Sequence, residues 1–420
     1  MSSPRANLSP PQNENTEADA SVKMTMGFKE FVVFIACLMA LNALAIDIML
    51  PALPNIGTSL GADVHERQTI LTVYMFGFGI AQLFFGPLAD AFGRKKVLIP
   101  GLVLYIVSGI GCVYAFGFDS LLVARFLQGV GAAATRVIAV SIVRDCYGGR
   151  RMASVMSLAM IVFIAVPIMA PSVGALILLA WPWPMIFFML VIGGMIMLGW
   201  TAWRLPETLN PQDKAPLSLV RISKDYFFAL TSRLSLGYML AMGFAMGAFF
   251  GFLNSAQPIY EELYGLGDFF TVAFAFNAAF MAIASLVNSR FVEQLGMRVI
   301  SHGALLALTV INAAHLIVAL AGLDTFAVFI AFQCATLFCA GLIIPNCNAL
   351  AMEPLGHIAG TGSSALGFVT TTLGAYLGYL IGQAYNETTI PVAGGYALCG
   401  FIALAIIFAT ERGRLFKAGH

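Results

Sequence analysis

The chain has 420 residues, of which 60% are hydrophobic and only 10% are charged, and its mean hydropathy is +0.88. Soluble domains carry roughly 25% charged residues, so the composition excludes an ordinary soluble domain and indicates an integral membrane protein. The net charge of +1 argues against a nucleic-acid partner. The seven cysteines form no C-x-x-C pair. The sequence also has no phosphate-binding loop for ATP, no H-E-x-x-H motif of zinc-dependent hydrolases and no G-x-S-x-G motif with a nucleophilic serine. We therefore expect no metal site, no cofactor and no enzyme activity.

The predicted elements begin with a polar tail. Residues 1–28 should form a disordered cytoplasmic tail rather than a cleaved signal peptide, because the first apolar run starts only after Glu30. Twelve apolar segments follow, and each is near or above the ~20 residues that a membrane-spanning helix needs. These segments lie at about 31–53, 68–89, 97–117, 120–143, 152–178, 185–203, 236–260, 268–292, 299–321, 325–349, 359–383 and 394–411.

Positive charge is distributed unevenly among the connections. Lys and Arg cluster after the second, fourth, sixth and eighth segments and in both tails, whereas the opposite connections hold Arg67 alone. The positive-inside rule then predicts that both termini are cytoplasmic. The longest connection, 205–233, divides the chain into an N-terminal six-helix bundle (29–204) and a C-terminal one (234–413), followed by a cytoplasmic tail (414–420).

The most specific motif is GPLADAFGRKKV at 86–97, between the second and third segments. Its glycines, Gly86 and Gly93, permit a tight turn, Asp90 can meet backbone donors at a helix N-terminus, and Arg94 helps to hold the loop at the cytoplasmic face. SRFVEQLGMR at 289–298 is a weak second copy of this motif. Two parallel repeats are one architecture of membrane transporters.

The fourth segment carries two arginines within apolar sequence. Arg125, Gln128, Gly129, Ala132 and Arg136 fall on one helical stripe, which is small and polar while the other faces are Leu, Val and Ile. An arginine facing lipid is unfavourable. This stripe should therefore face protein or a water-filled cavity.

Asp268 and Glu411 lie at the ends of their segments, and Asp47 is the only acidic residue in the interior of one. It lies 18 positions after Lys29, about 27 Å along a helix, at a depth compatible with Arg125. Burial and a nearby cation shift the pKa of a carboxyl group in opposite directions. A carboxyl group on which these two effects balance can exchange protons. We therefore predict Asp47 and Arg125 as the proton-coupling pair. A purely structural ion pair between the two helices is the alternative.

Arg136 has no acidic residue at its depth, so it either lies in a substrate cavity or extends to the inner interface. Further polar residues could line the cavity, although such residues often only link neighbouring helices. The additional candidates for substrate binding are Gln128, Tyr74, Asn254, Gln257 and Asn277.

Several of these strings resemble motifs of the major facilitator superfamily. The loop at 86–97 is similar to its G-x-L-x-D-x-x-G-R-K motif, the stripe from Leu121 to Ala132 to its helix-4 motif, and PIMAPSVGA at 167–175 to its antiporter motif, with Ala170 in place of a glycine. AIDIMLPALPNI, WPWPMIFF and RLPETL resemble the Bcr/CflA branch of drug:proton antiporters.

The resemblance implies an all-α fold with twelve membrane helices in two pseudo-symmetric bundles, in the inner membrane of a bacterium. It also implies a conformational gate made of Gly86, Asp90, Gly93, Arg94, Asp145, Pro171 and Gly174. In that gate Asp90 meets the N-terminus of helix 11 near Gly360, and Arg94 pairs with Asp145.

The predicted function is proton-coupled export of small amphipathic drugs of the phenicol, bicyclomycin or sulfonamide type, by a monomer that uses the proton gradient as its energy source. Export of a cellular metabolite such as an amino acid, nucleoside or sugar is the alternative within transporters. A membrane receptor that binds a ligand without moving it is the alternative of another class.

Overall fold

The computed structural model describes residues 26–147, 149–214 and 216–416, and within them the regular structure is entirely helical. The elements are α1 Phe28–Asp47, α2 Leu53–Leu60, α3 Val64–Phe92, α4 Arg94–Val113, α5 Phe118–Cys146, α6 Gly149–Ala180, α7 Pro184–Arg204, α8 Leu219–Thr231, α9 Arg233–Gln257, α10 Phe270–Leu295, α11 Met297–Leu320, α12 Phe326–Met352, α13 Ala359–Gln383 and α14 Ile390–Thr410.

These helices account for the twelve predicted membrane spans. Among the described residues, ten stretches are long and apolar enough to cross a membrane, and one of them, Phe326–Gln383, contains both α12 and α13. The apolar part of α6, Ala165–Ala180, is a shorter candidate. The predicted tails at 1–28 and 414–420 lie largely outside the described residues.

The first span is not the single continuous helix that the sequence predicted over 31–53. α1 ends at Asp47, a short 3-10 turn covers Leu50–Ala52, and α2 follows. Pro51 explains the break, because proline has no backbone N–H and its ring clashes with the preceding turn of a continuing helix. The backbone carbonyl of Ile48 lies directly against Gly174 of α6. The break therefore places Asp47 at a helix end packed inside the protein.

The helices form two six-helix bundles. In the first, α5 packs between α3 and α4, α1 packs on α6, and α4 packs on α7. In the second, α9 packs on α13 and α14, while α12 packs on α10 and α11. Gly129 permits close packing, because a Cβ there would collide with the carbonyl of Tyr74. The bundles meet mainly where α3 lies along α13 and where α6 lies along α10.

The connection at 205–233 contains a helix that the sequence did not predict. This helix, α8, ends at Thr231, immediately before α9 begins at Arg233. It contacts α9 and α13.

Candidate functional site

Arg125 is completely buried and is held by three different elements. Its Nη1 donates to Gln128 Oε1 at 2.7 Å, and its Nη2 donates to the backbone carbonyl of Ala45 at 3.1 Å. The guanidinium carbon lies 4.3 Å from the centre of the Tyr74 ring, within range of a cation–π interaction. The arginine thus joins α5 to α1 and α3 at the level of the break in α1.

Asp47 lies two residues beyond Ala45, and only 4% of its surface is exposed. Within the part of the chain that the structure describes, no ion pair within 4.0 Å joins it to Arg125 or to another cation. The direct Asp47–Arg125 pair is therefore absent in this conformation. Neutral groups, namely Gln128, the Ala45 carbonyl and the Tyr74 ring, stabilise the charge of Arg125 instead. Among the described residues, the carboxyl group of Asp47 therefore has no counter-ion within 4.0 Å.

Tyr74 and Gln128 support Arg125 in this conformation. Tyr74 is fully buried, and its hydroxyl donates to Asn42 Oδ1 at 2.9 Å, which links α3 to α1. Gln128 is equally buried. Asn42 was not predicted, since a single amide in an apolar helix carries no pattern that marks a partner.

Arg136 has different surroundings. It is half-buried, and its guanidinium carbon lies 6.0 Å from the centre of the Phe78 ring. No carboxylate among the described residues lies within ion-pair distance of it. Arg136 is thus a cation beside α3, and α3 is one of the helices through which the two bundles meet.

The predicted amides of the second bundle lie in separate places. Asn277 donates to the Tyr260 hydroxyl and accepts from Cys334 Sγ at 2.9 Å. Asn254 donates to the carbonyl of Phe250 one turn earlier, and Gln257 donates to Glu261 at 2.8 Å. Within the described residues no hydrogen bond links these three amides to one another or to Arg125. Their role in substrate binding stays a prediction.

Three residues of the predicted gate, Asp90, Arg94 and Asp145, lie close together near the start of α13. Arg94 Nε donates to Asp145 Oδ2 at 2.8 Å, and Arg94 Nη1 forms a close ion pair with Asp90. A Cβ on Gly360, at the start of α13, would lie 3.0 Å from Asp90 Oδ2. Asp90 of the first bundle therefore lies beside the N-terminus of α13, where the helix dipole favours a negative charge.

Glu207, which the sequence did not single out as a gate residue, completes the loop. Its Oε1 accepts from the backbone N–H of Arg94 at 2.7 Å and so caps α4. Gly93 adopts a φ of +112°, and a Cβ there would collide with Glu207. These two observations explain why the loop needs glycine at this position. Of the other gate residues, Gly86 contacts Ser364 of α13, and Pro171 is buried in α6.

The opposite end of the α3–α13 contact is also closed. Arg67 at the start of α3 forms an ion pair with Glu262, which follows α9, and Gln383 Nε2 donates to the carbonyl of His65 at 2.6 Å. Halfway along, Gln82 Nε2 donates to Thr371 Oγ1 at 3.3 Å. The two bundles therefore touch along the whole length of α3 and α13.

Residues 35–379 match the family model of the Major Facilitator Superfamily. The chain belongs to the Major Facilitator Superfamily. Members of this superfamily are transporters rather than enzymes, and the two-bundle helical architecture described above is theirs.

Relatives within the superfamily include resistance proteins. The chain is 29% identical to a bicyclomycin resistance protein homolog of Haemophilus influenzae, over 91% of this chain and 96% of that protein. It is 32% identical to the uncharacterised transporter YdgK of Bacillus subtilis (89% and 94% covered), and 29% identical to the multidrug resistance protein MdtL of Shigella flexneri (91% and 96% covered). The chain is thus similar to drug-resistance transporters over nearly its whole length.

Solved structures share the fold at low identity. The human organic anion transporter MFSD10 superimposes with a TM-score of 0.67 at 18% identity, covering 90% of this chain and 97% of that one. The xylose transporter XylE of E. coli, in a partially occluded inward-open conformation, superimposes with a TM-score of 0.70 at 10% identity, covering 93% and 98%.

Proposed function

We propose that this protein exports small amphipathic drugs in exchange for protons, by alternating access across the bacterial inner membrane, with both termini cytoplasmic. The observation that carries the proposal is Asp47, a buried carboxyl group at the break in α1 that has no counter-ion within 4.0 Å among the described residues. Similarity to bicyclomycin and multidrug resistance proteins supports drugs as the substrate class.

Asp47 is suited to carry the proton. A carboxylate taken out of water without a cation is strongly disfavoured, so the protonated form is favoured while the site is closed. When the site opens to the outer or the inner side, water stabilises the carboxylate again, and the proton can exchange with that side. The break in α1 places this group at a helix end that packs against α6.

Arg125 would set how readily Asp47 releases its proton. The arginine is anchored two residues from Asp47, through the Ala45 carbonyl. A movement of α1 against α5 that brought the carboxylate closer to the guanidinium would stabilise its charged form. Coupling follows if substrate and proton favour different states of this element.

Proteoliposomes test the proposal. Purified Asp47→Asn protein should fold but should not accumulate chloramphenicol or bicyclomycin inside inverted vesicles under a pH gradient alone. Asn is nearly isosteric with Asp but does not titrate. Downhill exchange of the drug should persist in the variant, because only the coupling group has been removed.

Asp63→Asn provides a matched control. Asp63 caps α3 outside the membrane by accepting from the N–H of Glu66 at 2.7 Å, and Asn caps helices equally well. This variant should transport like the parent protein. Uphill accumulation by Asp47→Asn would disprove the assignment of Asp47, and proton-driven uptake of a metabolite panel without any drug would favour the metabolite exporter.

A further inference from the structure

We propose that α8 is a membrane-docked strap, which binds the anionic phospholipid surface through one face and holds the inner contact of the two bundles through the other. The two faces differ in exposure. Ile222, Asp225, Tyr226 and Ala229 recur at helical spacing and are buried or half-buried. The opposite side carries exposed apolar residues, which an isolated helix in water would not display.

The inner face of α8 contacts both bundles. The Tyr226 hydroxyl donates to the backbone carbonyl of Leu83 in α3 at 2.6 Å. Phe228 lies edge-on to His357, just before α13, with ring centres 5.0 Å apart. α3 and α13 must separate when the inner side opens. Because α8 is attached to both, either its contact with Leu83 or its contact with His357 must then break.

The position of Leu83 sets the depth of α8. Leu83 lies nine residues before the end of α3 at Phe92, which is about 13 Å along the helix axis. α8 also ends two residues before Arg233, where the membrane-spanning helix α9 begins. The helix is therefore held beside the bundle at the level of the lipid headgroups rather than below it in the cytoplasm.

The outer face of α8 matches that environment. Leu219 is 81% exposed, Val220 64% and Phe227 70%. Arg221 and Lys224 lie beside them, and 62% of the Arg221 side chain is exposed even though Asp225 lies 4.0 Å away. Apolar side chains beside basic ones are typical of helices that lie in the membrane interface and bind anionic lipids.

The strap can be tested without any substrate. Ser223 is exposed on the outer face, so Ser223→Cys labelled with an environment-sensitive fluorophore reports on that face. The full-length protein is placed in nanodiscs of phosphatidylcholine, with or without phosphatidylglycerol. The parent protein, treated in the same way, gives the background labelling of the native cysteines. With phosphatidylglycerol the probe should be shielded from iodide and quenched by lipid-borne spin labels.

Removing one cation sharpens the test. Lys224→Gln should weaken the phosphatidylglycerol-dependent shielding roughly fivefold, and added salt should weaken it further. Phe227→Ser should reduce shielding in both lipids. Lys214→Gln is the matched control, because Lys214 is an exposed cation of the same connection but lies before α8.

Two results would overturn the proposal. A probe that stays accessible to quenching by iodide in both lipids would show that the outer face of α8 lies in water. Shielding that appears only in nanodiscs holding two copies, or only after a soluble protein is added, would assign the face to a protein partner. Since the probe measures docking alone, these outcomes are independent of whether the protein exports drugs.

Discussion

Arg125 and Arg136 lie three turns apart on α5, yet their surroundings are opposite. Arg125 is fully enclosed by Gln128, the Ala45 carbonyl and the Tyr74 ring. Arg136 is half-buried beside Phe78, with no ion pair among the described residues. The first arginine serves the architecture around Asp47, whereas the second retains a charge that a substrate could meet.

We predict that Arg136 selects against permanently cationic drugs. Two like charges about 8 Å apart at an effective dielectric constant of ~20 repel by about 2 kcal/mol, which is roughly thirtyfold in affinity. The parent protein should prefer neutral, zwitterionic or weakly acidic substrates over quaternary ammonium compounds. Arg136→Ala should reduce that preference in paired transport assays, and Arg136→Lys should restore it only partly if planar bidentate bonding matters. Equal export of both classes, unchanged in Arg136→Ala, would show that this side chain does not face the substrate.

At the scale of elements, the two loops that join α3 to α4 and α10 to α11 preserve the internal repeat. Gly93 and Gly296 both adopt positive φ, +112° and +84°, at the start of the following helix. The acidic residues have diverged in their contacts. Asp90 pairs with Arg94, whereas the equivalent Glu293 is exposed and makes no ion pair among the described residues. Asp90 also lies beside Gly360 at the start of α13, in the other bundle.

We therefore predict that Asp90→Asn weakens the inner contact. The variant keeps a hydrogen-bonding group but loses the charge facing Arg94 and the start of α13, a loss of about 1–2 kcal/mol. The inward-open population should rise roughly tenfold, measured by cysteine labelling on the cytoplasmic side. Glu293→Gln is the control and should leave labelling unchanged. Identical labelling of both variants would mean that Asp90 does not hold the gate.

At the scale of the whole molecule, the ends of the α3–α13 contact are held by different chemistry. At the end predicted to be cytoplasmic, Asp90 lies beside Gly360 and Gly86 contacts Ser364, while Arg94 and Asp145 of the same bundle position Asp90. The end predicted to be external uses the Arg67–Glu262 ion pair and the hydrogen bond from Gln383. Arg67 is also the one cation that the sequence places on the outer side. We infer that this ion pair opposes opening toward the outside.

Charge exchange tests the outer contact. Arg67→Gln or Glu262→Gln should raise the outward-open population by roughly fivefold, since partly exposed pairs contribute up to about 1 kcal/mol. The double variant Arg67→Glu with Glu262→Arg should restore the parent distribution, measured by distances between spin labels on the two bundles. The Arg204–Glu30 pair is the control, because both residues belong to the same bundle. A double variant that behaves like the single ones would exclude a direct role for this pair.

The sequence by itself determined the membrane class, the number of spans and the inner-loop motif. These properties follow from long apolar segments, the distribution of Lys and Arg, and local turn chemistry, which are all encoded by neighbouring residues. The same local signals located Asp47 and Arg125, because an ionisable residue stands out in apolar sequence. The partners of Asp90 and Arg94 could be predicted only from the family resemblance.

Only the tertiary structure decided which groups meet. It placed Arg125 on the Ala45 carbonyl rather than on Asp47, and it paired Arg67 with a residue 195 positions away. It also revealed Asp324, a buried carboxylate 3.0 Å from His315, in a connection where composition alone gives no sign of burial. Such contacts depend on the helix rotations and on the closeness of α3 and α13, which are fixed by packing between distant segments. For that reason periodicity identifies a polar face, but only the packed bundle identifies its partner.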